Sequence, residues 1–232
     1  MEISIGTVKK IVRKTKRRSL IRIRGTTRPG SLLKNQIAIR YGDWKDINPG
    51  WCETDTVAHC GDNVAGEFIY SLDVIDLYSG WSEQAAIWGK GEMATKHEMD
   101  KIRKRLPFKM LGLNPDNGSE FINWQLYRYC KKNEISLTRT RSYHKNDNPH
   151  IEQKNWTAIR QLIGYSRLNK RKQQYLLNDL YESEWRLYIN FFQPMIKLKK
   201  KTNKATHNFM VKTISLASYI LIESSVNMRP IT

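Results

Sequence analysis

The alternation of apolar and polar residues predicts three consecutive β-strands in the first half of the chain. The clearest alternation places Phe68, Tyr70, Leu72 and Val74 on one face of a strand. Short segments rich in Gly, Asp and Ser separate this strand from an apolar segment on either side. Because consecutive strands joined by short turns pair with each other, the pattern indicates an antiparallel meander. The three strands are predicted at residues 51–59, 67–75 and 81–88.

Beyond residue 91 the spacing of apolar residues changes to that of amphipathic helices interrupted by two short apolar strands. The helices are predicted at residues 92–106, 120–133, 149–168 and 173–192, and the strands at 108–113 and 135–138. The order βββαβαβαα predicts an α/β fold in which helices flank a five-stranded mixed sheet. Three antiparallel strands come first, and the remaining strands alternate with helices.

The segments outside this core differ from it in composition. Residues 1–24 carry a run of Lys and Arg with apolar residues at helical spacing, which indicates either the last helix of a DNA-binding unit or a solvated basic tail. Gly and Pro punctuate residues 25–50, which we interpret as a linker. We therefore predict a core over 51–196 and a basic C-terminal extension over 197–232.

Charge narrows the class of partner. The chain has 40 Lys and Arg against 22 Asp and Glu, a net charge of +18. A protein this basic usually binds a polyanion, and nucleic acid is the commonest, although a ribosomal or membrane-surface protein would share the charge. The apolar stretch at 214–222 is too short to span a bilayer. The three cysteines form no CxxC pair, which is typical of free thiols in a reducing cytosol.

Three carboxylates stand where the predicted elements would bring them together. Asp55 lies within the first strand, Asp116 follows the fourth, and Glu152 lies in the first turn of the third helix. Each has an ordinary interpretation, namely an ion pair, a turn and a favourable charge at a helix N-terminus. Three converging carboxylates would repel each other without a cation, and hard oxygen ligands suit Mg²⁺ or Mn²⁺. Two such ions can hold a phosphodiester for in-line displacement.

Three motifs surround these residues in order, and 35 residues separate Asp116 from Glu152. Residues 53–61 (ETDTVAHCG), 115–121 (PDNGSEF) and 145–155 (KNDNPHIEQKN) resemble those of bacterial insertion-sequence transposases with a catalytic core of the retroviral integrase, or DDE, type. The resemblance covers about residues 25–200. It implies an RNase H-like fold in which Asp55, Asp116 and Glu152 are the catalytic residues. It also implies that these three residues are the ligands of two Mg²⁺ or Mn²⁺ ions.

The resemblance also implies DNA end cleavage and strand transfer by a homo-oligomer on DNA, in the nucleoid of a bacterial cytoplasm. Full proteins of this kind begin with a complete helix-turn-helix region, so we expect the chain to be truncated at its N-terminus. Two other functions stay open. A related nuclease would cut DNA without joining it, and an inactive remnant would bind DNA only.

Polar residues near the three carboxylates are candidates for DNA contacts, because phosphate contacts are made by Lys, Arg, Asn and similar side chains. The candidates are His59, Asn117, Lys145, Lys154, Asn155 and Arg160. The alternative for His59 is a hydrogen-bonded turn residue. The alternative for Lys154, Asn155 and Arg160 is a solvated helix face.

Overall fold

The computed structural model describes residues 31–40, 48–141, 149–193, 195–197 and 211–213. The strands are β1 (Ala38–Ile39), β2 (Trp51–Ala58), β3 (Ile69–Asp76), β4 (Ser82–Trp88), β5 (Gly112–Pro115), β6 (Ser136–Arg139), β7 (Met195–Lys197) and β8 (Val211–Thr213). The helices are α1 (Ser31–Lys34), α2 (Glu92–Arg105), α3 (Trp124–Lys132), α4 (Pro149–Lys154), α5 (Gln161–Ile163), α6 (Arg171–Glu182) and α7 (Glu184–Leu187). Two π-helical segments, Asn155–Arg160 and Tyr188–Phe192, follow α4 and α7.

Six strands form one mixed sheet in the order β1-β6-β5-β2-β3-β4. The pairs β2–β3 and β3–β4 are antiparallel, as the meander predicts, whereas β5 pairs in parallel with both β2 and β6. The predicted α/β class and mixed sheet are therefore confirmed. The strand count differs from the predicted five, because the short strand β1 joins the sheet in parallel beside β6.

Helices cover both faces of the sheet. On one face α2 and α3 pack over a core that includes Leu72, Met99 and Phe121. On the other face the π-helical segment after α4 contributes Ala158 and Ile159, and α6 contributes Tyr181. The alternation along β2 follows from this, because Cys52 packs in the first core and Val57 in the second.

Part of the predicted linker belongs to the folded core. Leu33 and Ile37, on either side of the end of α1, are buried and pack against Ile122. The backbone amide of Arg40 donates to the carbonyl of Arg139 at 2.9 Å, which extends the pairing of β1 with β6. Residues 31–40 are therefore continuous with the sheet.

Helix boundaries differ from the sequence prediction at three places. The helix that follows β5 begins at Trp124 rather than at residue 120, because the Asn123 side chain caps it by accepting from the Leu126 amide at 2.8 Å. The helical run that begins at Pro149 ends before Gly164, which has φ of 74°. The last predicted helix is interrupted at Ser183, between α6 and α7.

Little of the predicted terminal segments falls within the described residues. The basic segment 1–24 lies outside them, and of the C-terminal extension they include only residue 197 and β8, which pairs with β7. No helix in the described part of the chain is both long and apolar enough to cross a membrane.

Candidate active site

Asp55 lies on β2, and Asp116 directly follows β5, the parallel strand beside it. The pairing of β2 with β5 sets Thr54 opposite Pro115; Asp55 comes next on β2, and Asp116 directly follows the end of β5. Burial, and then the negative charge of Asp116, raise the pKa of Asp55 to about 6. Burial also raises the pKa of Asp116. The charge of Asp116 thus acts on Asp55, and a cation between them would offset that repulsion.

Each aspartate is held by a donor on its own side of the site. Asp55 Oδ1 accepts from the Thr56 amide at 2.7 Å, and its Oδ2 accepts from Asn155 Nδ2 at 2.8 Å. Asp116 Oδ1 accepts from the Gly118 amide at 2.9 Å. These bonds oppose the rise in the two pKa values and fix the direction in which the carboxylates point.

The turn after Asp116 packs two carboxylate side chains closely around Gly118. A Cβ at Gly118 would lie 2.6 Å from Glu120 Oε2 and 2.9 Å from Asp116 Oδ1, closer than carbon and oxygen approach without displacement. Glu120 Oε2 is itself buried and has no hydrogen-bond partner among the residues described. The Asp-Asn-Gly motif thus brings a second carboxylate, Glu120, against Asp116.

Glu152 lies on α4, the helix whose N-terminus bonds to the strand of Asp55, and its place beside the two aspartates stays a prediction. It lies in the first turn of α4 with its side chain exposed. Within the described ranges, no three His, Cys, Asp or Glu side chains form a group that could hold a metal ion. The donor chemistry of Asp55 and Asp116 fits a divalent cation, since both offer hard oxygens whose mutual repulsion it would offset.

Glu53 is a buried carboxylate that the sequence reasoning missed. Its Oε2 accepts from the Ile151 amide at the N-terminus of α4 at 3.0 Å. Its Oε1 is buried and has no partner within the described part of the chain. Burial, with a smaller contribution from the charge of Glu152, raises the pKa of Glu53 to about 7, although backbone amides of α4 oppose the rise.

Glu53 therefore ties the strand that carries Asp55 to the helix that carries Glu152. The period of two along β2 was the signal available in the sequence, because it places residues 53, 55 and 57 on one face.

Lys90 is the second group that the sequence reasoning missed. Its ammonium lies 2.7 Å from Glu120 Oε1, and Thr56 Oγ1 donates to the same oxygen at 3.0 Å. The positive charge of Lys90 also lowers the pKa of Asp55 and of Asp116, against the larger effect of burial. A lysine in a turn between a strand and a helix gives no sequence signal of this kind.

Three of the six predicted DNA contacts, Asn117, Asn155 and Arg160, form hydrogen bonds with other residues of the described structure. Asn155 bonds to Asp55, as described. The Asn117 amide donates to the Thr140 carbonyl at 2.9 Å and accepts from Arg139 at 3.3 Å. Arg160, half-buried, donates to the Ala58 carbonyl at 3.0 Å.

Two of the predicted contacts are buried, and one is not described. His59 Nε2 lies 2.8 Å from Ser71 Oγ, and burial lowers the pKa of His59 to about 4, so its ring is neutral near pH 7. Lys154 is 7% exposed, and its charge lies near Asp73 on the second face of the sheet. Neither side chain is presented to a phosphate, because each lies inside the fold. Lys145 lies outside the described residues.

A surface cavity of about 400 Å³ lies between α2 and α3. None of the predicted site residues lines it. Its lining is mainly basic and polar, and includes Lys96, His97, Arg128 and Lys132.

Comparison of the sequence with known proteins gives a relative but no family model. No protein-family model matches the chain. The uncharacterized protein y4rM of Sinorhizobium fredii (strain NBRC 101917 / NGR234) is 35% identical over 173 residues, which are 74% of this chain and 49% of that protein. The chain thus spans about half the length of this relative.

Among solved structures, a chain of the simian T-cell lymphotropic virus intasome in complex with the PP2A regulatory subunit B56 gamma superposes with a TM-score of 0.52. It is 15% identical, and the match covers 76% of this chain and 62% of that one. The chain has the integrase catalytic-core fold.

The catalytic core domain of BIV integrase gives a TM-score of 0.48 at 15% identity, over 77% of this chain and 97% of that domain. The HTLV-2 integrase catalytic core domain in complex with magnesium gives 0.47 at 16% identity, over 64% and 92%. The RNase H-like integrase fold that the sequence resemblance implies is confirmed by the intasome match at a TM-score of 0.52. At 15% identity that likeness concerns the fold alone.

Proposed function

We propose that this chain is the catalytic core of a DDE transposase or integrase, which cleaves DNA ends and joins them to target DNA in a metal-dependent reaction. The observation that carries the proposal is the pair Asp55, on β2, and Asp116, directly after the parallel strand β5, both with raised pKa values. The integrase catalytic-core fold supports the same reaction class, and the relative in Sinorhizobium fredii supports a bacterial origin.

Asp55, Asp116 and Glu152 are the proposed ligands of two Mg²⁺ or Mn²⁺ ions. When bound, such ions activate an attacking water or 3′-hydroxyl and stabilise the leaving oxygen of an in-line displacement. The chain's own residues orient the ligands. Asn155 fixes one oxygen of Asp55, and the Gly118 amide fixes one oxygen of Asp116.

DNA is the proposed partner, and the net charge of +18 supports it. Phosphate neutralisation by Lys and Arg makes such binding fall steeply with salt. We further propose that the chain acts on DNA as a homo-oligomer in the bacterial cytoplasm, close to the nucleoid.

The test is a plasmid nicking assay together with a joining assay that supplies a labelled oligonucleotide with a free 3′-hydroxyl. We expect cleaved and joined products with Mg²⁺ and neither product with a chelator. Asp55→Asn, Asp116→Asn and Glu152→Gln should each remove both products, whereas Asp62→Asn, at an exposed turn, should retain them.

The alternatives predict other products. A related nuclease would give cleavage without joined DNA. An inactive DNA-binding remnant would give neither product with any divalent ion, and that result would overturn the proposed activity.

A further inference from the structure

Lys90 lies in the turn between β4 and α2, where its side chain bridges the interior and the surface. The ammonium lies 2.7 Å from Glu120 Oε1, in a pair whose carboxylate is 1% exposed and whose lysine side chain is 33% exposed. The same ammonium lies 5.2 Å from the centre of the Tyr70 ring. The position of Lys90 is therefore fixed by the protein, while part of its surface stays open to solvent.

The surroundings of Lys90 are those of the proposed active site. Burial acts to lower the pKa of Lys90, but the negative charges of Glu120 and, more weakly, Asp116 raise it overall, so the side chain is cationic at neutral pH. Its charge also acts on Asp55. An ammonium has three donors, and the bond to Glu120 uses one of them.

A DNA strand that approaches Asp55 and Asp116 brings negative phosphates toward two carboxylates. A fixed cation beside the aspartates would offset part of that repulsion. Lysine suits this role because its ammonium is a compact charge on a flexible stem, able to turn from one oxygen to another. Glu120 would hold the ammonium in place until a phosphate oxygen takes up a donor.

We propose that Lys90 binds a phosphodiester of the DNA strand beside the two aspartates, with Glu120 as its resting partner. This assignment rests on the proposed function, since it takes DNA as the substrate. It adds a contact on the turn before α2, a part of the chain that carries none of the three sequence motifs.

The experiment measures the affinity of the full chain for a labelled DNA duplex by fluorescence anisotropy, over a series of KCl concentrations with Mg²⁺ present. Each phosphate contact contributes about 0.9 to the slope of log affinity against log salt. We expect Lys90→Gln to reduce that slope by about one and Lys90→Arg to retain it.

Lys104→Gln is the matched control. Lys104 forms an ion pair of the same length, 2.7 Å, with Asp100, but it lies on the exposed surface of α2. Equal slopes for wild type and Lys90→Gln, or equal losses in Lys90→Gln and Lys104→Gln, would overturn the assignment.

Glu120→Gln separates phosphate binding from a structural ion pair. This variant removes the charge of the resting partner but keeps Lys90, so we expect the salt slope of wild type. If the pair serves only to hold the turn, Glu120→Gln and Lys90→Gln will weaken DNA binding alike, and the assignment fails. Wild-type chain that neither binds nor cleaves DNA would refute the proposed function itself, whereas active wild type with an unchanged slope in Lys90→Gln refutes this inference alone.

Discussion

Replacement of Glu53 by Gln should change how the stability of the protein depends on pH. Glu53 is fully buried, and burial is the main reason that its pKa rises from 4.5 to about 7. Gln keeps an oxygen that can accept from the Ile151 amide, but it carries no charge at any pH. The substitution thus removes the titration while it keeps the link between β2 and α4.

The magnitude follows from the rise in pKa. A change from 4.5 to about 7 corresponds to about 3 kcal/mol between folded and unfolded states. Because the folded pKa is raised, the folded state favours the protonated acid. This stabilisation is complete below pH 4.5 and is lost as the pH rises through about 7. Wild type should therefore lose about 3 kcal/mol over that window from Glu53 alone.

Urea denaturation at a series of pH values from below 4.5 to above 7, without divalent ions, measures the effect. Other buried acids, including Asp55 and Asp73, titrate in both proteins, so the difference between wild type and Glu53→Gln isolates residue 53. The free energy of unfolding of Glu53→Gln should rise relative to wild type by about 3 kcal/mol across the window. Exposed Glu92→Gln should show no such rise. Parallel curves for wild type and Glu53→Gln would refute the reasoning.

Three further predictions test the packing, the interior lysine and the metal site. A Cβ at Gly112 would lie 2.0 Å from Trp51 Cε3, so Gly112→Ala should lower the free energy of unfolding by about 1–3 kcal/mol in urea denaturation; an unchanged midpoint would contradict this packing. Lys154→Met should leave the salt slope of DNA binding unchanged in anisotropy, because this lysine is 7% exposed and faces Asp73; a slope reduced by about one would mean that it contacts phosphate. Mg²⁺ at one hundred times its dissociation constant should stabilise wild type by roughly 2.7 kcal/mol in thermal melts, and Asp116→Asn should abolish the gain; equal gains in both would place the ions elsewhere.

Features set by local periodicity were predictable from the sequence. The alternation in β2, β3 and β4 gives the meander, and the order of elements gives the parallel pairing of β2 with β5. Those two facts bring Asp55 next to Asp116. Both facts depend on local periodicity and on the order of the elements, and neither requires knowledge of side-chain packing.

Features that depend on packing between distant segments were not predictable. Strand β1 has two residues and exists only through its pairing with β6, a hundred positions along the chain. The burial of His59 and Lys154 depends on the packing of helices over the second face of the sheet. Lys and Glu are common on protein surfaces, so the sequence does not show that Lys90 and Glu53 lie beside the site. Their contacts with Glu120 and with the Ile151 amide, which only the structure gives, place them there.

The addition of β1 to the sheet has a practical consequence for any shortened version of the protein. A fragment that starts at the predicted core boundary, residue 51, would lack β1. One edge of β6 would then carry unpaired backbone amides and carbonyls. The same cut would uncover Ile122 by removing Leu33 and Ile37. Exposed edges of this kind recruit other chains, so fragments for expression should begin before residue 31 to avoid aggregation.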